Sequence, residues 1–233
     1  MELRYKRISL KLSGEALAGA ENMIDFCALE SMAEQIGKLS AAGVEVGVTI
    51  GGGNIWRGRD SGEFDRNKAD QMGMLATVIN ALALADALKR AGTDYVVLSS
   101  IAIPAVCDQF RADKADEALS AGKVVIFAGG SGLPFFSTDT AAAMRAAETG
   151  ADALLLAKNV DTIYTADPKT VPDARPLPRL TYDEAIALNL KALDAASIVL
   201  CRDNAIPIRF FAASDAGNIL KICAGEDIGT TIN

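Results

Sequence analysis

Three cations stand where an apolar run gives way to a turn. Lys11 lies between Leu10 and Leu12 and is followed at once by Ser13-Gly14. Arg57 comes four residues after Ile50-Gly51-Gly52-Gly53, and Lys158-Asn159 closes the apolar run 151–157. A third glycine turn, Ala128-Gly129-Gly130-Ser131-Gly132-Leu133-Pro134-Phe135-Phe136-Ser137-Thr138-Asp139, follows the apolar run 123–127. Glycines let a ligand approach the main chain, and free N–H groups, guanidinium and ammonium all favour phosphate. Three consecutive glycines have no side chains to pack, so residues 50–58 read as an anion turn. The plainer alternative is a tight strand-to-helix turn with no ligand. An unpaired ammonium inside an apolar strand is costly. Lys11 is therefore expected to emerge at the strand's end and meet an anion, the alternative being a strand-edge lysine in solvent.

The carboxylates are less decisive one by one. Asp70 and Asp194 open helical patterns, as does Thr138; capping explains Thr138 as well as a ligand would and is the default for each aspartate taken alone. Asp167 precedes Pro168, where a turn role is the default. Histidine is absent, which removes Ser–His and Cys–His catalysis and histidine-based metal sites. Neither G-x-x-x-x-G-K-[ST] nor a G-x-G-x-x-G after the first strand is present. Several separate cations, glycine turns and a few aspartates on a histidine-free chain point to phosphoryl transfer. That reaction needs positioning and charge neutralisation more than a covalent nucleophile or a histidine base.

The elements that must position these groups alternate regularly. Strands are expected at residues 7–12, 44–50, 95–98, 123–127, 151–157 and 207–211, with a closing piece at 230–232. Helices are expected at residues 25–42, 70–90, 111–121, from 138 to 150, at 182–188, 194–202 and 217–223. Val160-Asp161-Thr162-Ile163-Tyr164 alternates and fits a short hairpin. Residues 57–67 are polar and read as a mobile loop. β–α alternation predicts an α/β three-layer sandwich with a mostly parallel central sheet, in which ligands bind beyond the carboxyl ends of the strands. At 233 residues, half of them hydrophobic, the chain can bury a full core. The net charge of −7 argues against nucleic acid and anionic membrane as partners. No signal-peptide pattern and no uninterrupted run of ~18 apolar residues occurs. The four dispersed cysteines (Cys27, Cys107, Cys201, Cys223) read as small core residues in a reducing cytoplasm.

The strings Lys11-Leu12-Ser13-Gly14-Glu15-Ala16-Leu17, Ile50-Gly51-Gly52-Gly53-Asn54, Asp70-Gln71-Met72-Gly73-Met74-Leu75-Ala76-Thr77, Thr165-Ala166-Asp167-Pro168 and Arg202-Asp203-Asn204 carry a family resemblance. Over nearly its whole length the chain resembles the amino acid kinase superfamily and, within it, the bacterial uridylate (UMP) kinases. The resemblance implies one domain over residues 1–233, with an acceptor-binding part at about 1–150 and an ATP-binding part at about 151–233. It implies transfer from ATP to UMP with magnesium held mainly by nucleotide phosphates, in a cytoplasmic homohexamer inhibited by UTP. It also implies a place in pyrimidine nucleotide (CTP) biosynthesis.

Residue by residue, the resemblance assigns Lys11, Leu12, Ser13, Gly14, Gly53, Arg57, Asn159, Tyr164 and Asp167 to ATP. It assigns Gly52, Asp70, Ser131, Gly132, Leu133, Pro134, Phe135, Phe136, Ser137 and Thr138 to UMP. Lys11 and Arg57 are its catalytic cations, with Asp139 and Asp194 as candidates for orienting Lys11 and magnesium. The Gly19-to-Ile24 segment, near where some members bind an activating GTP, is shorter here. The alternatives are a related phosphotransferase acting on a carboxylate or carbamate, and a nucleotide-binding module without turnover.

Overall fold

The sheet grows outward from Arg7–Leu12 (β1), whose residues alternate between two environments. Ile8, Leu10 and Leu12 enter the largest apolar cluster. Ser9 and Lys11 point the other way, and the Ser9 hydroxyl donates to the Ala142 carbonyl at 3.3 Å. The structure, a computed structural model, describes residues 3–19, 22–58, 62–168, 170–190 and 192–233. Within the expected loop at 57–67, Arg59, Asp60 and Ser61 lie outside the described residues, as do Ala20 and Glu21 in the short 19–24 segment.

In chain order β1 is followed by Phe26–Ala41 (α1), Glu45–Ile50 (β2), Arg66–Arg90 (α2), Tyr95–Ser99 (β3), Asp108–Gln109 (β4) and Ala112–Ser120 (α3). Val124–Ala128 (β5), Thr138–Glu148 (α4), Ala153–Lys158 (β6), Arg179–Leu180 (β7) and Tyr182–Ala187 (α5) come next. Ala195–Asp203 (α6), Ile208–Ala212 (β8), Gly217–Cys223 (α7) and Thr230–Ile232 (β9) complete the chain. The sheet order is β4-β3-β5-β2-β1-β6-β8-β9-β7, parallel except where β9 meets β8. β1 is central, with β2 on one side and β6 on the other. The chain thus winds one way from β1 and later resumes on its other side. A crevice opens at the carboxyl end of such a reversal point.

Helices cover both faces, as three layers require. α1, α2 and α7 pack on the face of Leu10 and Leu155. α4, α5 and α6 pack on the face of Leu154 and Leu156, with α3 against Val125 and Phe127. α1 forms where expected, because Leu29, Met32, Ala33, Ile36 and Leu39 recur with helical spacing and are buried.

Several expectations need correction. α2 begins at Arg66, capped by Asp65, so Asp70 lies in its second turn and does not cap it. α4 is capped by Ser137 and not by Thr138. β4 and β7 are two-residue edge strands, too short to leave a sequence pattern. The 160–164 piece forms no strand. Instead a loop closes through one antiparallel bridge, Tyr164 with Pro176, flanked by Leu177 N–H to Ile163 C=O at 2.8 Å. Cys27 is exposed and Cys107 half-buried, so only Cys201 and Cys223 are core residues. By length and composition α2 is long and apolar enough to cross a membrane, although polar residues such as Asn80 and Asp86 interrupt its apolar run. It is a core helix, with Ala81, Leu84 and Leu88 fully buried.

The Asp25 carboxylate caps α1 by accepting from the N–H groups of Cys27 at 2.8 Å and Ala28 at 3.1 Å. Asp25→Ala should lower unfolding stability by about 1 kcal/mol. Urea denaturation would read this as a lower midpoint with unchanged slope, and an unchanged midpoint would contradict it.

Candidate active site

A cleft opens at the carboxyl ends of β1, β2 and β5. All three glycine turns reach it: Ser13 and Gly14, then Gly51, Gly52 and Gly53, then Gly130 and Ser131. Asp70, Leu133, Phe135, Phe136, Ser137, Thr138, Arg57 and Lys11 also line it. Of the residues expected around the acceptor, only Gly132 and Pro134 are not on its wall. Leu12, expected to face a donor, is fully buried in the core, and its carbonyl accepts from Gly51 N–H at 2.8 Å.

A second cleft is lined by Asp139, Lys158, Ile186, Asn189, Leu193 and Asp194. It adjoins a third that shares Asn189, Leu190 and Ala192 and contains Tyr164 and Asp167. Asn159 lines none of the three and is exposed. Between the first two clefts runs a short chain of charges. Lys11 Nζ stands 3.0 Å from Asp139 Oδ1, and Lys158 Nζ pairs with Asp139 Oδ2. Lys11 and Asp139 are each only 6% exposed. Lys11 thus lines one cleft, Lys158 the other, and one carboxylate joins them.

The electrostatics follow from two lysines sharing one carboxylate. Burial alone would raise the Asp139 pKa, but Lys11 and Lys158 outweigh it and hold the pKa below the usual carboxylate range. Asp139 also sits in the first turn of α4, where the helix dipole favours an anion. Lys158 is pushed down to about 8 by burial and by Lys11, with Asp139 offsetting part of the fall. The arrangement keeps surplus positive charge in a dry wall between two clefts, where it acts strongly on an anion.

Asp194 meets neither lysine. It caps α6, and its Oδ2 accepts from the hydroxyls of Ser137 and Thr140, each at 2.6 Å, tying α6 to the start of α4. Burial raises its pKa, but those two hydrogen bonds leave the pKa below the ordinary value. Arg57 pairs with Glu15, a residue that sequence reasoning did not single out. Asp70 Oδ2 accepts from Arg66 Nε at 2.8 Å and from Phe135 N–H at 2.7 Å. Phe135 has φ = +70°, a strained conformation for a side-chain-bearing residue. Among the described residues the Ser13 hydroxyl is buried without a protein partner, on the wall of a cleft where an acceptor could complete it.

Gly51 and Gly52 serve packing, contrary to the expectation that packing could not explain them. A Cβ on Gly51 would lie 2.9 Å from Gly14 N, and one on Gly52 would lie 2.9 Å from Gly73 O of α2. Gly53 alone would meet only flexible side-chain ends, those of Glu15 and Arg57. The third turn differs, because Gly129, Gly130 and Gly132 all have positive φ.

Residues missed from the sequence hold these turns. Thr77 Oγ1 of α2 accepts from Gly129 N–H at 2.8 Å, and Asn80 Nδ2 donates to Gly51 C=O at 2.7 Å. Ser100 Oγ donates to Gly130 C=O at 2.7 Å and accepts from buried Arg145. The available signal was polarity out of place, namely Thr77 and Asn80 on an apolar helix and Arg145 in an alanine-rich one.

A family model described as "Amino acid kinase family" matches residues 6–212. The chain belongs to that family. Among solved structures similar to it is a UMP kinase from Bacillus anthracis, 39% identical, with a TM-score of 0.94 over 98% of this chain and 96% of that one. Another is a UMP kinase from Ureaplasma parvum, 37% identical, with a TM-score of 0.90 over 99% of this chain and 100% of that one. A uridylate kinase from Archaeoglobus fulgidus is 24% identical with a TM-score of 0.76, covers 98% of this chain and 100% of that one, and shares the fold. The amino acid kinase fold therefore accounts for the parallel sheet and its central β1.

The depressed Lys158 pKa has a measurable consequence. Above about 8 the lysine loses its proton and the wall loses surplus charge. Affinity for tripolyphosphate as a probe anion should therefore decline as pH rises through about 8. Lys158→Arg, which stays charged, should move the decline to higher pH. The sign for stability is the reverse. An unfolded lysine holds its proton up to about 10.4, so the cost of burying charged Lys158 is relieved between about 8 and that value. Calorimetric titrations with a pH-independent affinity from 7 to 9.5 would contradict this account.

Proposed function

We propose that this chain transfers the γ-phosphoryl group of ATP to UMP, giving UDP and ADP. One observation carries the reading. Lys11, Asp139 and Lys158 bridge two clefts, in a chain 39% identical over 98% of its length to a UMP kinase. UMP occupies the first cleft, with Asp70 at its ribose, Gly52 at its phosphate, and residues 131–138 around base and phosphate. ATP occupies the second and third clefts, with Tyr164 and Asp167 at its nucleoside. Its phosphates reach Ser13, Gly14 and Gly53. On this reading residues up to about 150 serve the acceptor and the remainder the donor.

A phosphate oxygen of UMP attacks the γ-phosphorus. The bond from that phosphorus to the β–γ bridging oxygen breaks, and its electron pair leaves with ADP. The attacking oxygen is already anionic, so no general base is required. Lys11 meets the charge spread over the transferring oxygens, as phosphoryl transfer requires. Arg57 exchanges Glu15 for phosphate when substrate binds.

Among the described residues no three carboxylates or cysteines converge as a metal site, and both Asp139 oxygens face lysines. Those residues fit magnesium carried chiefly by the nucleotide phosphates, where it neutralises donor charge. UTP, an acceptor analogue with extra phosphates, fits the first cleft as an inhibitor.

Self-association as a homohexamer draws support from Leu75, Ile79 and Leu82. These lie on one outward stripe of α2, between 41% and 50% exposed. The reaction belongs to pyrimidine nucleotide synthesis in the cytoplasm.

An ADP-release assay with UMP, CMP, acetylglutamate and carbamate tests the proposal. UMP should be the strongly preferred acceptor. Turnover of acetylglutamate or carbamate without UMP would replace it with the carboxylate or carbamate reading, and binding of ATP without turnover would indicate a regulatory module. Lys11→Ala should slow UMP turnover by ~100-fold or more while leaving UMP affinity close to normal. Equal loss of affinity and rate would contradict a transition-state role.

A further inference from the structure

Asn80 is fully buried at mid-length in α2, on a face it shares with Thr77, Ala81, Leu84 and Leu88. A leucine would suit that environment, so the amide calls for an explanation. Its Nδ2 donates to Gly51 C=O and to Asn54 Oδ1, both at 2.7 Å. Its Oδ1 accepts from Asn54 Nδ2 at 3.1 Å. The two amides therefore bond reciprocally, and Asn54 also donates to Met23 C=O at 2.7 Å. A satisfied amide pair with one member fully buried holds a unique geometry, because any shift strands the Asn80 amide in a dry site.

The pair grips the place where two phosphate-facing turns touch. Gly51 N–H is fixed on Leu12 C=O and Gly51 C=O on Asn80, so both ends of that residue are held. A trans peptide is planar, with its N–H opposite its C=O. Fixing Gly51 C=O toward α2 therefore aims the Gly52 N–H to the side away from α2. Gly14 is held just as closely, since a Cβ there would lie 2.3 Å from Asn54 Oδ1 and 2.8 Å from Gly53 N. The amide pair thus sets the separation between the Ser13-Gly14 turn and the Gly51-to-Gly53 turn.

We propose that Asn80, through Asn54 and Gly51, is a positioning residue for the phosphoryl transfer. It holds the turn that faces the acceptor against the turn that faces the donor, and so sets the approach of the two reacting phosphates. The inference rests on the reading of the clefts given above. Asn80 lines none of the three clefts described above, so its loss acts on the rate of the chemical step and leaves nucleotide affinity nearly unchanged. Misplacement of reacting groups by about 1 Å costs roughly 100-fold in rate.

Single-turnover quench measurements at saturating ATP and UMP read that step without interference from product release. Asn80→Leu should slow it by ~30- to 100-fold and Asn54→Ala by ~10-fold, with nucleotide dissociation constants within about threefold of wild type. The double variant should be little slower than Asn80→Leu alone, because the two amides act as a unit. A merely structural role would lower the thermal midpoint while folded protein at 25 °C kept the wild-type rate, and that result overturns the proposal. So does a loss carried wholly by affinity, or strict additivity of the two variants. If Asn80→Leu does not fold, the half-buried Asn54→Ala decides by itself, and a wild-type rate there overturns the proposal. The wild-type chain is measured first. Turnover of a different acceptor refutes only the UMP assignment, and the variants are then read on that acceptor. No turnover with any acceptor refutes both.

Discussion

The arrangement depends on one carboxylate between two buried lysines. Asp139 faces Lys11 with one oxygen and Lys158 with the other. Removing either partner from a buried pair leaves an uncompensated charge and typically costs 3–5 kcal/mol. The imbalance matters alongside the pairing. Two lysines and one aspartate leave positive charge unmet in a wall that water scarcely reaches, and an anion arriving from either cleft supplies what is missing. Lys158 absorbs the strain meanwhile through its pKa of about 8.

The rest of the fold holds that wall in place. β1 lies at the centre of the sheet with neighbours on both sides, so Lys11 projects from the most constrained strand available. α4 supplies Asp139 from its first turn, and the Asp194 bonds to Ser137 and Thr140 fix where that turn begins. α2 contributes from the opposite layer, with Thr77 and Asn80, one helical turn apart, reaching two different glycine turns. Arg145, stacked 3.6 Å above the Phe110 ring, secures the third turn through Ser100. Buried side chains on helices thus support a cleft built largely from main chain, which suits a ligand that is mostly phosphate.

Much of this was legible in the sequence. The β–α alternation gave the layers and the parallel sheet, and Lys11 in an apolar strand signalled a buried ammonium in need of an anion, which the structure supplies as Asp139 beside a cleft. Local signals failed where the cause was distant. The string Gly51-Gly52-Gly53 reads as a ligand turn, yet two of its glycines are dictated by Gly14 and α2, which only the fold brings near. Asp70 looked like a cap because the apolar pattern begins there, whereas Asp65 starts the helix one polar turn earlier. For Asp194 the sequence leaves a helix cap and a group orienting Lys11 and magnesium both open, and the structure shows the cap, with its oxygens turned to Ala196, Ser137 and Thr140. The bridge through Asp139 joins residues from three separate elements, and no spacing rule connects them.

The central claim is that Asp139 holds Lys11 where its charge meets the transferring group. The most direct measurement is the single-turnover rate of Asp139→Asn, alongside its UMP dissociation constant. The substitution preserves shape and removes the shared carboxylate, and the folded protein can relieve the added charge by deprotonating Lys158. The account predicts a rate lower by ~100-fold or more, with UMP affinity within about threefold of wild type. A rate near wild type would contradict it.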